Sequence, residues 1–191
     1  GPGRGSLGRR GGAAPAGVGR GLDGGAGGGK VSLWPVDGGG RVKPDAVARL
    51  FGEDPRPALV SVMLANNEVG SIQPGAELAA ICREHDTPLH SDAAQAVGKI
   101  PVDVEALGVD ALSIAGHKFY GPKGVGALYL REGRTLAPFL SGADQEGGRR
   151  AGTENVPGIV GLGEAARLAE DNLEEDMEHS SRLRDLLLAA L

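Results

Sequence analysis

A single cysteine, Cys82, in 191 residues excludes an intrachain disulfide framework, and no metal site is expected. No apolar run reaches the length of a membrane span, which gives no reason to expect a membrane partner. Basic residues are scarce where a folded body is expected. Residues 31–191 carry 15 basic against 24 acidic side chains, a net charge of −9 with histidines neutral, and this argues against nucleic acid as a partner. The chain has no initiating methionine and no secretion signal. One cysteine and no secretion signal fit a reducing, intracellular and cytoplasmic setting, with an organelle as the alternative.

Glycine is abundant, and its distribution divides the chain. Residues 1–30 hold 14 of the 34 glycines and five basic side chains against one acid, Asp23. Such a segment has almost nothing to bury and is expected to be a disordered Gly/Arg-rich tail. Gly24-Gly-Ala-Gly-Gly-Gly-Lys30 is not a phosphate loop, because Val31 stands where a hydroxyl residue should hold magnesium and no strand precedes it.

From residue 31 the pattern is that of an α/β body. Helices are predicted at 44–51, which opens with Pro44 and Asp45 and carries Val47 and Leu50, at 75–85 and at 93–97. Strands are predicted at 58–65, 88–91, 109–115 and 125–130. This alternation implies a mostly parallel sheet flanked by helices, with an antiparallel last pair because its connecting turn is short. One long helix is expected from Asn155-Val-Pro157 to the end, with Leu162, Ala166, Ala169, Leu173, Met177, Leu183 and Leu187 forming an apolar stripe. Cys82 shares a helical face with Leu78 and Ile81 and reads as a buried structural thiol.

Three polar constellations each close an apolar strand. Asn66-Asn-Glu-Val-Gly70 follows the strand at 58–65. His90-Ser-Asp-Ala-Ala-Gln-Ala-Val-Gly98 sets Asp92 and Gln95 three residues apart, and Gly116-His-Lys sets Lys118 in a glycine-bounded turn beside His117. In open α/β sheets ligands sit at the carboxyl ends of strands. A lysine desolvated there, or set near another cation, becomes a carbonyl-trapping amine. Each residue also has a plainer reading. Lys118 could be a solvated turn lysine, Asp92 a helix cap, Asn67 and Gln95 turn and helix polars, His117 a packing residue and Thr153 a helix cap.

Four ordered motifs carry a resemblance. They are Met63-Leu-Ala-Asn-Asn-Glu-Val-Gly-Ser-Ile-Gln-Pro74, His90-Ser-Asp-Ala-Ala-Gln-Ala-Val-Gly-Lys99, Gly116-His-Lys-Phe-Tyr-Gly-Pro-Lys-Gly-Val-Gly-Ala127 and Arg150-Ala-Gly-Thr-Glu-Asn155. Together they resemble the pyridoxal-phosphate-dependent cysteine desulfurases and selenocysteine lyases of the class V aminotransferase group. The resemblance implies part of the large domain of a fold-type I transferase over residues 31–155, followed by a helix at 156–191 that leads to a small domain. It implies that Lys118 bonds pyridoxal 5'-phosphate and moves the substrate Cα proton, and that Asp92 pairs with the pyridine nitrogen. Gln95 and Asn67 would hydrogen-bond around the phenolic oxygen, and His117 would contact the phosphate side. Thr153 would reach the phosphate of a partner subunit, which implies a homodimer, and Arg150 belongs to the same motif. L-Cysteine or L-selenocysteine is the implied substrate, alanine the product and sulfur-acceptor proteins the further partners.

The chain departs from the family pattern in four ways. Ala115 stands where desulfurases commonly place a phosphate-binding hydroxyl, as an apolar residue does in selenocysteine lyases. Gly147 follows Gln145-Glu146 where arginine is common. The family's cofactor-stacking histidine and glycine-threonine phosphate loop would precede the matched part, and its catalytic cysteine would follow Leu191. The expectation is therefore a fragment with little activity of its own, or an inactive form of the fold that serves only in dimerisation.

Overall fold

A computed structural model of the chain describes residues 33–53, 57–138 and 140–191. The tail expected at 1–30 lies outside the described residues. Helix α1 (Pro44–Glu53), strand β1 (Val60–Met63), helix α2 (Gly75–Glu84), strand β2 (Leu89–Asp92), helix α3 (Val104–Leu107), strand β3 (Ala111–Ala115) and strand β4 (Gly126–Leu130) follow in order. Helices α4 (Val156–Asp171) and α5 (Leu173–Ala190) complete the chain. The sheet order is β1-β2-β3-β4, the first three strands parallel and β4 antiparallel to β3. The α/β architecture with a mostly parallel sheet is the one expected from the sequence.

The period-2 geometry of strands gives this sheet two unlike faces. Val60, Val62, Leu89, Ser91 and Leu112 are buried on one face. There the four apolar side chains join Val47 of α1, Leu78, Ala79 and Cys82 of α2, and Val109 in one hydrophobic cluster. Register pairs Ser61 with His90 and Met63 with Asp92, and then Asp92 with Ser113, so the opposite face carries a polar row that is only partly buried. Burial pushes the Cys82 thiol up to about 11, with the Asp110 carboxylate adding to the effect. A thiol in that state is a packing group.

Four elements differ from expectation. Strand β1 is shorter than 58–65, because Leu59 is exposed and the chain curls after Met63, where Ala65 bridges Ile72. No helix forms at 93–97. Residues 94–99 are turns with single-turn bonds such as Val97 N–H to the Ala93 carbonyl (3.1 Å), ended by Gly98 at φ 73° and Pro101. A single turn that meets a left-handed glycine and then a proline cannot propagate. Helix α3 was not expected, although Asp103 caps it by accepting from Glu105 N–H (2.8 Å) and Ala106 N–H (3.1 Å), and Gly108 closes it at φ 68°.

The C-terminal segment, finally, is two helices. Asn172 leaves helical geometry (φ −107°, ψ 4°), and its side-chain amide donates to the Leu168 carbonyl at 2.7 Å. An asparagine amide that competes for the backbone ends a helix in this way. Glu174, Glu175 and Asp176 then favour the start of α5 through the helix dipole. The apolar stripe divides with the helices. Ala165 and Gly158 of α4 are buried, whereas Leu183, Leu186, Leu187 and Leu188 of α5 are exposed. Among the described residues no helix is long and apolar enough to cross a membrane.

Leu78 is fully buried at the centre of the cluster. Leu78→Ala is expected to lower unfolding stability by about 2–5 kcal/mol, measured by urea titration. A loss below about 1 kcal/mol would place Leu78 outside a packed core.

Candidate active site

Beyond β1 the chain makes a compact turn shaped by Asn66. Its side-chain oxygen accepts from Glu68 N–H (2.9 Å) and Val69 N–H (3.0 Å), while the backbone N–H of Asn66 donates to the Ser71 carbonyl (2.9 Å). Asn66 is thereby committed to the turn. Its neighbour Asn67 is exposed and makes no side-chain hydrogen bond to another described residue. The turn is anchored from below by Gln73, which is 4% exposed. Gln73 accepts from Val42 N–H (2.8 Å) and donates to the Gly40 carbonyl (2.8 Å), locking residues 36–42 beside the first loop.

Strand β2 ends at Asp92, which is half-buried. One carboxylate oxygen accepts from Ala94 N–H at 2.9 Å, and the other has no partner among the described residues. The capping role is therefore real, but it shapes a turn rather than a helix and engages one oxygen only. Gln95, also half-buried, sits in that turn with no side-chain hydrogen bond to a described residue.

Strand β3 runs into a 3-10 turn, Gly116–Phe119, which carries His117 and Lys118, both exposed. The turn depends on close backbone approach. A Cβ on Gly121 would lie 2.9 Å from the Gly116 carbonyl oxygen, and one on Gly126 would lie 2.5 Å from the Ile114 carbonyl oxygen. Only glycine fits either position. Tyr120 takes the left-handed conformation at φ 66°, a strained choice for a side chain of its size. Leu162 of α4 packs against Gly116 and Pro122 against Gly161, so α4 braces the turn from outside.

Asp92 ends β2, and Asn67, Gln95, His117 and Lys118 follow the carboxyl ends of β1, β2 and β3, which the pairings Met63–Asp92 and Asp92–Ser113 set side by side. Thr153 makes no hydrogen bond to any of them. It is exposed on the loop before α4, and the cap of that helix is Asn155, whose side chain accepts from Gly158 N–H at 3.2 Å. The helix-cap reading of Thr153 is therefore corrected. Arg150 donates to the Ala151 carbonyl at 2.6 Å.

Two residues at the site escaped the sequence reading. His90 bridges three strands on the polar face, with Nδ1 2.8 Å from Ser61 Oγ and Nε2 3.2 Å from Ser113 Oγ. Burial holds its pKa below the ordinary histidine value, and the Asp92 carboxylate partly opposes that effect. Its signal was the serine on each flanking strand, which becomes visible only once register is known. Lys99 Nζ donates to the Lys118 carbonyl at 3.0 Å. Nothing in the spacing of nineteen residues announces that bond.

The profile of the family described as aminotransferase class-V matches residues 25–191. The chain belongs to that family. This class-V chain is 48% identical over 159 residues to the cysteine desulfurase IscS of Dictyoglomus turgidum, covering 83% of the chain and 40% of that relative. It is 53% identical over 139 residues to a mitochondrial cysteine desulfurase of Eremothecium gossypii, covering 72% and 28% respectively. A solved NifS-like protein superposes with a TM-score of 0.80 at 45% identity, over 85% of this chain and 44% of that one. The class-V chain therefore spans well under half the length of these relatives.

His90 binds a proton less readily in the folded chain than when unfolded. Its contribution is present above the unfolded value of about 6.5 and is lost as pH falls below it. Urea midpoints at pH 7.5 and 5.5 should therefore drop less in His90→Gln than in the wild type. Equal drops would remove His90 from the acid sensitivity.

Proposed function

We propose that this chain is the cofactor-gripping part of a pyridoxal-phosphate-dependent cysteine desulfurase. In that reaction L-cysteine yields L-alanine, and its sulfur passes to an enzyme cysteine as a persulfide for iron–sulfur cluster or thio-cofactor synthesis. The observation that carries the reading is the placement of a carboxylate, Asp92, with one oxygen unpartnered among the described residues, at the end of β2, and of the amine of Lys118, with no hydrogen-bond partner among the described residues, just past the end of the adjacent parallel strand β3. The unengaged amides of Gln95 and Asn67 lie on the same edge.

The donor set fits pyridoxal phosphate. The Lys118 amine would hold the cofactor through its carbonyl carbon, with water as the leaving group, and, once displaced by the substrate amine, would be free to take up and return the proton at the substrate Cα. The Asp92 oxygen that has no partner among the described residues would accept from the pyridine nitrogen, and its charge would keep that nitrogen protonated. Gln95 and Asn67 would orient the ring through its phenolic oxygen, and His117 would contact the phosphate side. When bound, the ring supplies an electron sink for the pair left at Cα. Thr153, on its exposed loop, is assigned to the phosphate of a partner subunit, which makes the working form a homodimer. The names of the relatives favour cysteine over selenocysteine as substrate. Sulfur-acceptor proteins and an intracellular setting, cytoplasmic or organellar, complete the proposal.

Titration of the purified protein with pyridoxal phosphate should develop a visible absorbance band that saturates at one equivalent and is absent in Lys118→Ala. In the full-length protein, Asp92→Asn should lower alanine release from L-cysteine by about 10²–10³-fold, the usual effect of removing one preorganised electrostatic partner. A folded protein with no band, or a band unchanged in Lys118→Ala, would overturn the assignment.

A further inference from the structure

Lys99 has no part in the chemistry described above, yet it touches the peptide that carries Lys118. Lys99 is exposed, and its ammonium donates to the Lys118 carbonyl at 3.0 Å, a charge-assisted bond. Within the same turn the Gly116 carbonyl accepts from the N–H groups of Tyr120 and Gly121, so the frame is closed from inside, whereas the Lys118 carbonyl relies on a residue nineteen positions away.

A second contact joins the same two loops. Gly98 turns at φ 73°, and a Cβ there would lie 2.8 Å from Cβ of Phe119 and 3.3 Å from Cβ of Ala169. The loop after β2 therefore lies directly on Phe119, which is 3% exposed, with α4 closing the contact. Gln95 sits in that loop and Lys118 precedes Phe119. The Gly98–Lys99 step thus ties the cofactor-orienting amide to the amine. Desolvation lowers the pKa of Lys99, and the like charge of Lys118 lowers it further, which places the two ammonium groups in one electrostatic field.

We propose that Lys99 is a positioning residue for Lys118: its ammonium fixes the Lys118 peptide against the Gln95 loop, so that the amine is held ready for its carbonyl partner. The role in cofactor capture rests on the assignment of Lys118 under Proposed function, but the mechanical link does not. The link is therefore tested on cofactor-free protein.

Hydrogen–deuterium exchange of the peptide spanning Gly116–Tyr120 should quicken about tenfold or more in Lys99→Met, the effect of losing one charge-assisted bond. Lys99→Arg, which keeps the charge and the donor, should stay within about twofold of the wild type. Strand peptides of β1 and β2 should be unchanged in both variants. With pyridoxal phosphate added, the dissociation constant should rise by a similar factor in Lys99→Met and recover in Lys99→Arg. If Lys99→Met does not fold, Lys99→Gln, a shorter neutral donor, takes its place with a smaller acceleration in the same peptide. Unchanged exchange at 116–120 would overturn the proposal, as would acceleration spread evenly over the sheet, which marks a merely structural lysine. Failure of the wild type to bind pyridoxal phosphate would sink the functional assignment while leaving the exchange result to decide the role of Lys99.

Discussion

Parallel pairing of β1, β2 and β3 governs everything built above it. Parallel strands deliver their carboxyl ends to one edge of a sheet, and the pairings Met63–Asp92 and Asp92–Ser113 set those ends beside one another. Backbone bonds carry the register past the strands, since Leu64 N–H reaches the Asp92 carbonyl (2.8 Å) and Ala93 N–H reaches the Ser113 carbonyl (2.9 Å). Three loops that are distant in sequence therefore leave the sheet side by side. A slip of one residue in β2 would move Asp92 to the buried face and bring Ser91 to the edge.

The loops hold their shape because other groups are fully committed. Asn66 closes the first turn, so Asn67 need not; Gln73, buried, fixes the segment beneath it; and glycines at 116, 121 and 126 admit backbone contacts that any side chain would block. Among the described residues, what remains unengaged is the chemically useful set: one Asp92 oxygen, two amides and one amine. Preorganisation of this kind places the cost of ordering on residues that take no part in the reaction.

Much of this was legible in the sequence because it depends on local pattern. Apolar runs ended by Asn-Asn-Glu, by Asp-Ala-Ala-Gln and by Gly-His-Lys marked strand ends, and the short glycine-rich turn between residues 115 and 126 required the antiparallel β3–β4 pair. What escaped depends on competition or on register. The stretch at 93–97 has helical composition, but Gly98 and Pro101 stop it after one turn. The break at Asn172 interrupts an apolar period that continues on both sides, because the asparagine side-chain amide shares the Leu168 carbonyl with its own backbone N–H. The strands read as apolar throughout, whereas Ser61, His90 and Ser113 form a polar line across one face that only pairing reveals. The Lys99–Lys118 link lies in the same class, since no spacing rule predicts a bond between two lysines.

The central claim is that, of the lysines near this edge, Lys118 is the one that bonds the cofactor. Borohydride reduction after pyridoxal phosphate is added, followed by peptide mass spectrometry, addresses it directly. The expected result is a single reduced pyridoxyl adduct on the peptide that contains Lys118. An adduct on Lys99 or Lys123 instead, or labelling spread evenly over surface lysines, would contradict it.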